Sequence, residues 1–273
     1  MTCRPDTGEL ILRGDVPKLS IEGVSQRFGE TLALAPTDFH VASGEFVAIV
    51  GPSGCGKSTL FNIIAGIISP TVGRVHIDGV EVTGNAGHVG YMLQKDLLLP
   101  WCTVLENIVL GDTLKGGATR AAREEGFALA KRYGLADFVN YYPSALSGGM
   151  RQRVALMRTL ATHHDLMLLD EPFGALDSQT RLVMQEWLLT VWKEQKGTIL
   201  FVTHDIDEAI FLADRVVVMT PRPGRVREIF SVAIERPRPL SSLTTQAFMT
   251  LKRRMLNLIY ADHSAAMEHD NAH

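Results

Sequence analysis

Gly51-Pro52-Ser53-Gly54-Cys55-Gly56-Lys57-Ser58-Thr59 satisfies the pattern G-x-x-x-x-G-K-[ST], a loop suited to holding a polyphosphate. Gly51, Gly54 and Gly56 let the backbone wrap closely around an anion, with successive N–H groups and a positive helix end aimed at the β-phosphate. Lys57 supplies a charge to the β- and γ-phosphates, and the Ser58 hydroxyl is a ligand for Mg²⁺. Further along, Leu166-Met167-Leu168-Leu169 runs into Asp170 and Glu171, two adjacent carboxylates where an apolar strand surfaces. Alternation along a strand sends them to opposite sides, so they take different tasks. Asp170 is expected to serve Mg²⁺ through a bound water, and Glu171 to polarise the attacking water as general base. Alone, the pair would be a polar strand end before a turn at Pro172; beside a phosphate loop it implies hydrolysis of a nucleoside triphosphate.

The loop needs a strand before it and a helix after it, and residues 45–50 and 59–65 have those patterns. Strands ending near Leu93, Asp170, Thr203 and Met219 are expected to fill the same central sheet. Residues 19–28 and 37–50 alternate or run apolar and are expected to build an antiparallel edge beside it. Between Gln94 and Asp165 the pattern turns helical, best at 104–110, 120–133 and 149–160. This predicts an α/β core with a helical subdomain inserted at about residues 96–162. The expected organisation is a tail over 1–18, one nucleotide-binding domain over 19–235 and a C-terminal extension over 236–273.

A second Gly-rich run, Leu146-Ser147-Gly148-Gly149, precedes Met150-Arg151-Gln152-Arg153. With it, the chain resembles the ATP-binding subunit of an ABC transporter over roughly residues 19–230. Ser147, Gly148 and Gly149 match that family's signature, Gln94 its Q-loop glutamine, and Gly174-Ala175-Leu176-Asp177 its D-loop. His204 matches the switch histidine, and Phe28 the aromatic that stacks on adenine. Taken singly, Gln94 would be a polar loop residue, Phe28 a core residue, and His204 a satisfied buried histidine or a neighbour of a helix cap. The resemblance implies a P-loop NTPase (RecA-like) core with an antiparallel β subdomain, and ATP with Mg²⁺ held by Ser58, Gln94 and Asp170. It also implies a catalytic set of Lys57, Gln94, Glu171 and His204. Asp177 and the signature would complete the nucleotide site in a homodimer, because the signature serves the ATP held by the other copy's phosphate loop. ATP would then close the interface and hydrolysis would loosen it.

Lys95-Asp96-Leu97-Leu98-Leu99-Pro100-Trp101, followed by Thr103-Val104-Leu105-Glu106-Asn107, resembles the importer branch for nitrate, sulfonate, taurine and related solutes. Leu98, Leu99 and Trp101 either line the groove that takes the permease's coupling helix or form a satellite core under the loop. The resemblance implies separate permease subunits, a periplasmic or lipoprotein solute-binding protein acting indirectly, and a peripheral place on the cytoplasmic face of the inner membrane. An exporter subunit is the nearer rival. A mechanical clamp on DNA or ribosomes is the other alternative, and it would call for a long coiled coil between Gln94 and Leu146 or a second ATPase unit.

Composition supports an ordinary globular chain: 273 residues, 46% hydrophobic and a net charge of −3, which offers no basic footprint for nucleic acid. No apolar run is long enough to cross a bilayer, and residues 1–18 have too short an apolar patch for a signal peptide. Cys3, Cys55 and Cys102 form no metal spacing and are expected to be free thiols. For Cys55, either Lys57 and the helix end lower the thiol pKa, or it is only a small residue at a permissive position. Arg236-Pro237-Arg238-Pro239 is expected to be an extended separator. Beyond it, Phe248, Leu251, Met255, Leu258 and Ile259 share one face of a helix over 244–260, packed on its own core or on a partner. His263, His269 and His273 are expected in a mobile tail and not in a metal site.

Overall fold

A computed structural model describes residues 16–195 and 197–270. In chain order the elements are β1 (Leu19–Phe28), β2 (Thr31–Val41), β3 (Phe46–Val50), α1 (Lys57–Ile64), β4 (Val72–Ile77), β5 (Val80–Glu81) and β6 (Gly90–Met92). Then come α2 (Val104–Ile108), α3 (Leu110–Leu114), α4 (Arg120–Arg132), α5 (Gly148–Leu160), β7 (Leu166–Asp170), α6 (Ser178–Gln195) and β8 (Thr198–Val202). The chain closes with α7 (Ile206–Leu212), β9 (Arg215–Met219), β10 (Val226–Ser231) and α8 (Gln246–Asp270).

The central sheet has the order β10-β9-β3-β8-β7-β6, parallel from β9 to β6, with β10 antiparallel on its edge. β3, β7 and β8 are buried along their whole length, so they read as continuous apolar runs. The period of two still sorts their side chains. Phe46, Ala48 and Val50 face one core with α5, α6, α7 and α8, whereas Val47 and Ile49 face another with α1 and the second sheet. That second sheet, β2-β1-β4-β5, is antiparallel throughout.

Several expectations are corrected. Residues 37–50 are two strands in two sheets, divided by a turn at Gly44, whose φ of 73° suits glycine. The segment at 104–110 splits into α2 and α3 at Val109. Lys18 is no tail residue: it is buried, and its ammonium pairs with Asp78 at 2.8 Å and Asp165 at 3.4 Å. Residues 1–15, including Cys3, lie outside the described residues. Phe248 and Met255 pack into the main core, and α8 continues to Asp270, so the segment expected as a mobile tail is helical through His263 and His269. His273 lies outside the described residues. Among the described residues no helix is long and apolar enough to cross a membrane.

The loop between β9 and β10 pins β2 to the phosphate loop. Gly224 donates to the Ala33 carbonyl at 3.1 Å and accepts from the Ala35 amide at 2.8 Å. A Cβ on Gly224 would lie 1.7 Å from the Cys55 carbonyl oxygen. Gly224→Ala must therefore displace the phosphate loop. It should cost about 1–3 kcal/mol, as overpacking of a tight site does, and should weaken nucleotide binding. Thermal denaturation with ADP titration checks this, and an unchanged midpoint with unchanged affinity would contradict it.

Candidate active site

The phosphate loop leaves the carboxyl end of β3 and enters α1 through Gly56, whose φ of 100° forms the N-terminal cap of that helix. Gly51 has no room for a side chain, since a Cβ would meet Cys55 Sγ and the Met219 carbonyl at 3.0 Å each. Lys57 is buried, and its Nζ donates to the carbonyls of Gly51 at 2.8 Å and Pro52 at 2.9 Å. Ser53, Gly54 and Ser58 are exposed, with Thr59 half-buried behind them on α1. Cys55 is fully buried, and burial raises its thiol pKa despite the opposing Lys57 charge. The thiol is thus the neutral, packed group of the two alternatives.

Asp170 ends β7 and is 2% exposed. Desolvation raises its carboxyl pKa and the Glu171 charge adds to the rise, while a hydrogen bond from Ser58 and the Lys57 charge oppose it. Its Oδ1 is buried without a hydrogen-bond partner. Glu171 no longer belongs to the strand: its φ is 49° and its N–H donates to the Val202 carbonyl at 2.9 Å. The two carboxylates are separated by this left-handed kink and not by strand alternation alone. A non-glycine residue there is strained, as residues at reactive sites often are.

Glu171 collects two further predicted residues. Gln94 Nε2 donates to its Oε2 at 3.1 Å, and His204 Nδ1 lies 3.4 Å from its Oε1. Lys57, Ser58, Asp170, Glu171, Gln94 and His204 thus share one edge of the sheet. The remaining site candidates stand elsewhere. Phe28 ends β1 and is half-exposed, beside Gly29 in a left-handed turn. Ser147 caps α5, its Oγ accepting from the Met150 amide at 3.2 Å, with Gly148 and Gly149 in the first turn. Among the described residues no hydrogen bond joins these three to the phosphate loop. Asp177 caps the start of α6: its Oδ1 accepts from the Thr180 amide at 3.0 Å, which holds its carboxyl below the usual carboxylate range.

A polar network behind His204 was not foreseen. Glu208, buried, accepts from Thr203 Oγ1 at 2.6 Å and from Gln185 Nε2 at 2.9 Å. Arg181 lies 3.7 Å from Asp205 and donates to the Leu176 carbonyl at 3.2 Å, joining residues 174–177 to the turn that carries His204. Glu171, Arg181, His204 and Glu208 border a cavity of about 10 Å³, room for about one water. Asp205 followed three residues later by Glu208 is a readable helix-start signal, but the sequence does not reveal that Glu208 turns inward.

The segment after Gln94 is built around Asn107, which is fully buried and brackets the chain from Leu99 to Thr103 with four hydrogen bonds. Leu98 is core, at 8% exposure, and Leu99 is half-buried, whereas Leu97 and Trp101 stand out at 52% and 72%. Leu98 therefore belongs to the core, as one alternative had it, and Trp101 does not. Two arginines of α5 clamp the same segment. Arg151 bonds Asp96 at 3.0 Å and the Leu146 carbonyl at 2.9 Å. Arg158 bonds the carbonyls of Leu97 at 2.8 Å and Asp96 at 2.7 Å.

A parallel sheet with a phosphate loop at its carboxyl edge and facing acidic side chains defines a P-loop nucleoside triphosphatase core. Comparison with known proteins narrows the class. The ABC transporter domain profile matches residues 34–174. An uncharacterized ABC transporter ATP-binding protein of Methanocaldococcus jannaschii is 44% identical over 246 residues, covering 89% of this chain and 91% of that one. The aliphatic sulfonates import ATP-binding protein SsuB of Bacillus cereus is 40% identical over 242 residues, covering 87% and 94%. The taurine import ATP-binding protein TauB of Yersinia pestis is 43% identical over 214 residues, covering 78% and 84%. A solved dimeric ATP-binding cassette in a post-hydrolysis state, bound to ADP and Pi, superposes with a TM-score of 0.71 at 32% identity, covering 80% of this chain and 100% of that one. The chain belongs to the ABC transporter family.

Two outcomes are expected at this site. Lys57→Ala should weaken nucleotide binding by about 10–100-fold, the size of a lost charged hydrogen bond, while leaving the fold intact. Isothermal titration with ADP measures it, and unchanged affinity would remove Lys57 from phosphate binding. Cys55, held as a neutral buried thiol, should resist iodoacetamide at pH 7–8 in folded protein and react on denaturation, as followed by mass spectrometry.

Proposed function

We propose that this chain is the ATP-binding and hydrolysing subunit of an importer, powering uptake of a sulfonate-, taurine- or nitrate-type solute through a separate membrane permease. The observation that carries the hydrolytic part is the meeting of Gln94, His204 and Glu171 beside the phosphate loop. Glu171 acts as general base on the attacking water, Gln94 orients that water, and His204 contacts the γ-phosphate. Lys57 exchanges the Gly51 and Pro52 carbonyls for phosphate oxygens when ATP enters.

Mg²⁺ fits the donors present. Ser58 and Gln94 offer neutral oxygens, and Asp170 brings one buried carboxylate whose Oδ1 has no hydrogen-bond partner. A site with a single carboxylate suits an ion held mainly by substrate phosphates and water. When bound, the ion neutralises phosphate charge. Residues 174–177 and the signature act across a homodimer interface, where Ser147, Gly148 and Gly149 of one copy close on ATP held by the other. The dimeric solved relative and the placement of the signature on a separate helix support this.

Import is supported by the names of the sulfonate and taurine relatives and by the exposed Leu97 and Trp101, set between Gln94 and α2. That joint is where a permease helix would dock. The permease would in turn receive solute from a periplasmic or lipoprotein binding protein, which places this subunit peripherally on the cytoplasmic face. A DNA or ribosome clamp is disfavoured because residues 104–160 fold as short helices with no coiled-coil pair. Phe28, exposed at the end of β1, would stack on adenine.

Glu171→Gln should keep ATP affinity while lowering turnover by about 10²–10⁴-fold. In light scattering it should shift from monomer to dimer with ATP and Mg²⁺; wild-type turnover would remove Glu171 from the base role. Leu97→Asp with Trp101→Asp should leave basal ATPase within about twofold, as exposed substitutions usually do, and abolish stimulation by the reconstituted permease. Collapse of basal activity would make the cluster structural.

A further inference from the structure

The extended separator expected at 236–239 is a clamp on a helix. α7 is seven residues long and starts two residues after His204, with Asp205 as its N-terminal cap. A helix end leaves its last carbonyls without intrahelical donors. Here the Ala213 amide takes the Ala209 carbonyl, and two arginines take the next four. Arg238 Nη1 lies 2.9 Å from the Ile210 oxygen, 3.0 Å from that of Phe211 and 2.7 Å from that of Ala213. Arg236 Nη2 donates to Leu212.

Both arginines are fixed in turn. Arg238 is 5% exposed, and its Nε donates to the Ile234 carbonyl at 3.0 Å. Arg236 lies over the Trp192 ring at 4.5 Å and bonds Asp214 Oδ1 at 2.9 Å. Asp214 Oδ2 accepts from the amide of Phe46, the first residue of the strand that feeds the phosphate loop. At the other end of α7, Lys252 of α8 pairs with Asp207 at 2.7 Å. His204 itself has a side chain 66% exposed, so its reach to Glu171 is set by the backbone that carries it, between the end of β8 and the start of α7.

We propose that Arg238, assisted by Arg236, is a positioning residue for ATP hydrolysis: the C-terminal extension holds α7 as a strut that sets His204 against Glu171. This rests on the reading of His204 given above. The planar fork lets Nη1 face the carbonyls at the end of α7 while Nε holds the Ile234 carbonyl, a division that a single lysine ammonium cannot make with the same geometry.

The test uses the full chain with Arg238→Met, Arg238→Lys and His204→Ala, each alone and the first two combined with His204→Ala. The readouts are kcat, KM for MgATP, ADP affinity and amide exchange. Arg238→Met should lower kcat about 10-fold, in keeping with the cost of small misplacements. KM and ADP affinity should stay within about twofold, and exchange should speed up across 205–213 but not 57–64. Arg238→Lys should recover part of the rate. In the His204→Ala background, Arg238→Met should add less than about twofold, because residues acting through one another are not additive. Equal losses with and without His204, an unchanged kcat, or a parallel loss of ADP affinity would each overturn the proposal. If Arg238→Met does not fold, Arg238→Lys carries the same cycle. Wild-type turnover by His204→Ala would instead overturn the reading of His204, and the ADP and exchange data would stand apart from it.

Discussion

The site depends on the register of three parallel strands. Val202, at the end of β8, is the shared partner of Ile49 in β3 and of Asp170 in β7. The ladder runs one step past the strands on both sides, with the Thr203 amide on the Ile49 carbonyl at 3.2 Å and the Glu171 amide on the Val202 carbonyl at 2.9 Å. The phosphate loop, Glu171 and His204 therefore leave the sheet at one level, where ligands gather in open parallel sheets. A slip of one residue would turn every apolar side chain to the wrong core. With both faces apolar, it is the fit of side chains in close-packed cores that resists the slip, so the packing of Val47, Ile49, Leu168 and Leu200 fixes where the chemistry happens.

That edge carries charges that a core would otherwise expel. Lys57 is tolerated because two loop carbonyls accept hydrogen bonds from it, and Glu208 because Thr203 and Gln185 donate to it. Desolvation still raises the carboxyl pKa of Glu208. Asp170 is less complete, with one oxygen unpartnered and a raised pKa, and Glu171 sits on strained backbone. Both shortfalls fall where a cation and a water are expected. Groups of purely structural use are usually satisfied, so an unpartnered carboxylate oxygen in this place favours a ligand.

The sequence was most legible where function demands particular residues close together. The phosphate loop, the carboxylates after β7 and the signature are contiguous, and the strands beside them are apolar runs with little competing pattern. What escaped depends on tertiary partners. β4 is a thin strand interrupted by Gly73, and its pairing with β1 supplies the order that its own pattern lacks. α6 carries apolar residues on more than one side because it packs between the sheet and the helical layer, so its periodicity is faint. Arg236 and Arg238 look like solvent-exposed charges until the carbonyls at the end of α7 are in view.

The contacts around Gln94 are unequal in a way that bears on coupling. Through its side chain, Gln94 reaches Glu171 by one hydrogen bond. On its carboxyl side, Asp96 and Leu97 are tied to α5 by bonds from two guanidinium groups. Forked arginine contacts hold geometry better than a lone amide bond. If α5 and the rest of the helical segment shift as a unit, residues 96 and 97 will travel with them, and the bond between Gln94 and Glu171 is the one to yield. The same α5 begins at Ser147, with Arg151 holding Leu146 in place. Asp96, Leu97 and the start of α5 are therefore one hydrogen-bonded piece, and it adjoins the surface that carries Leu97 and Trp101.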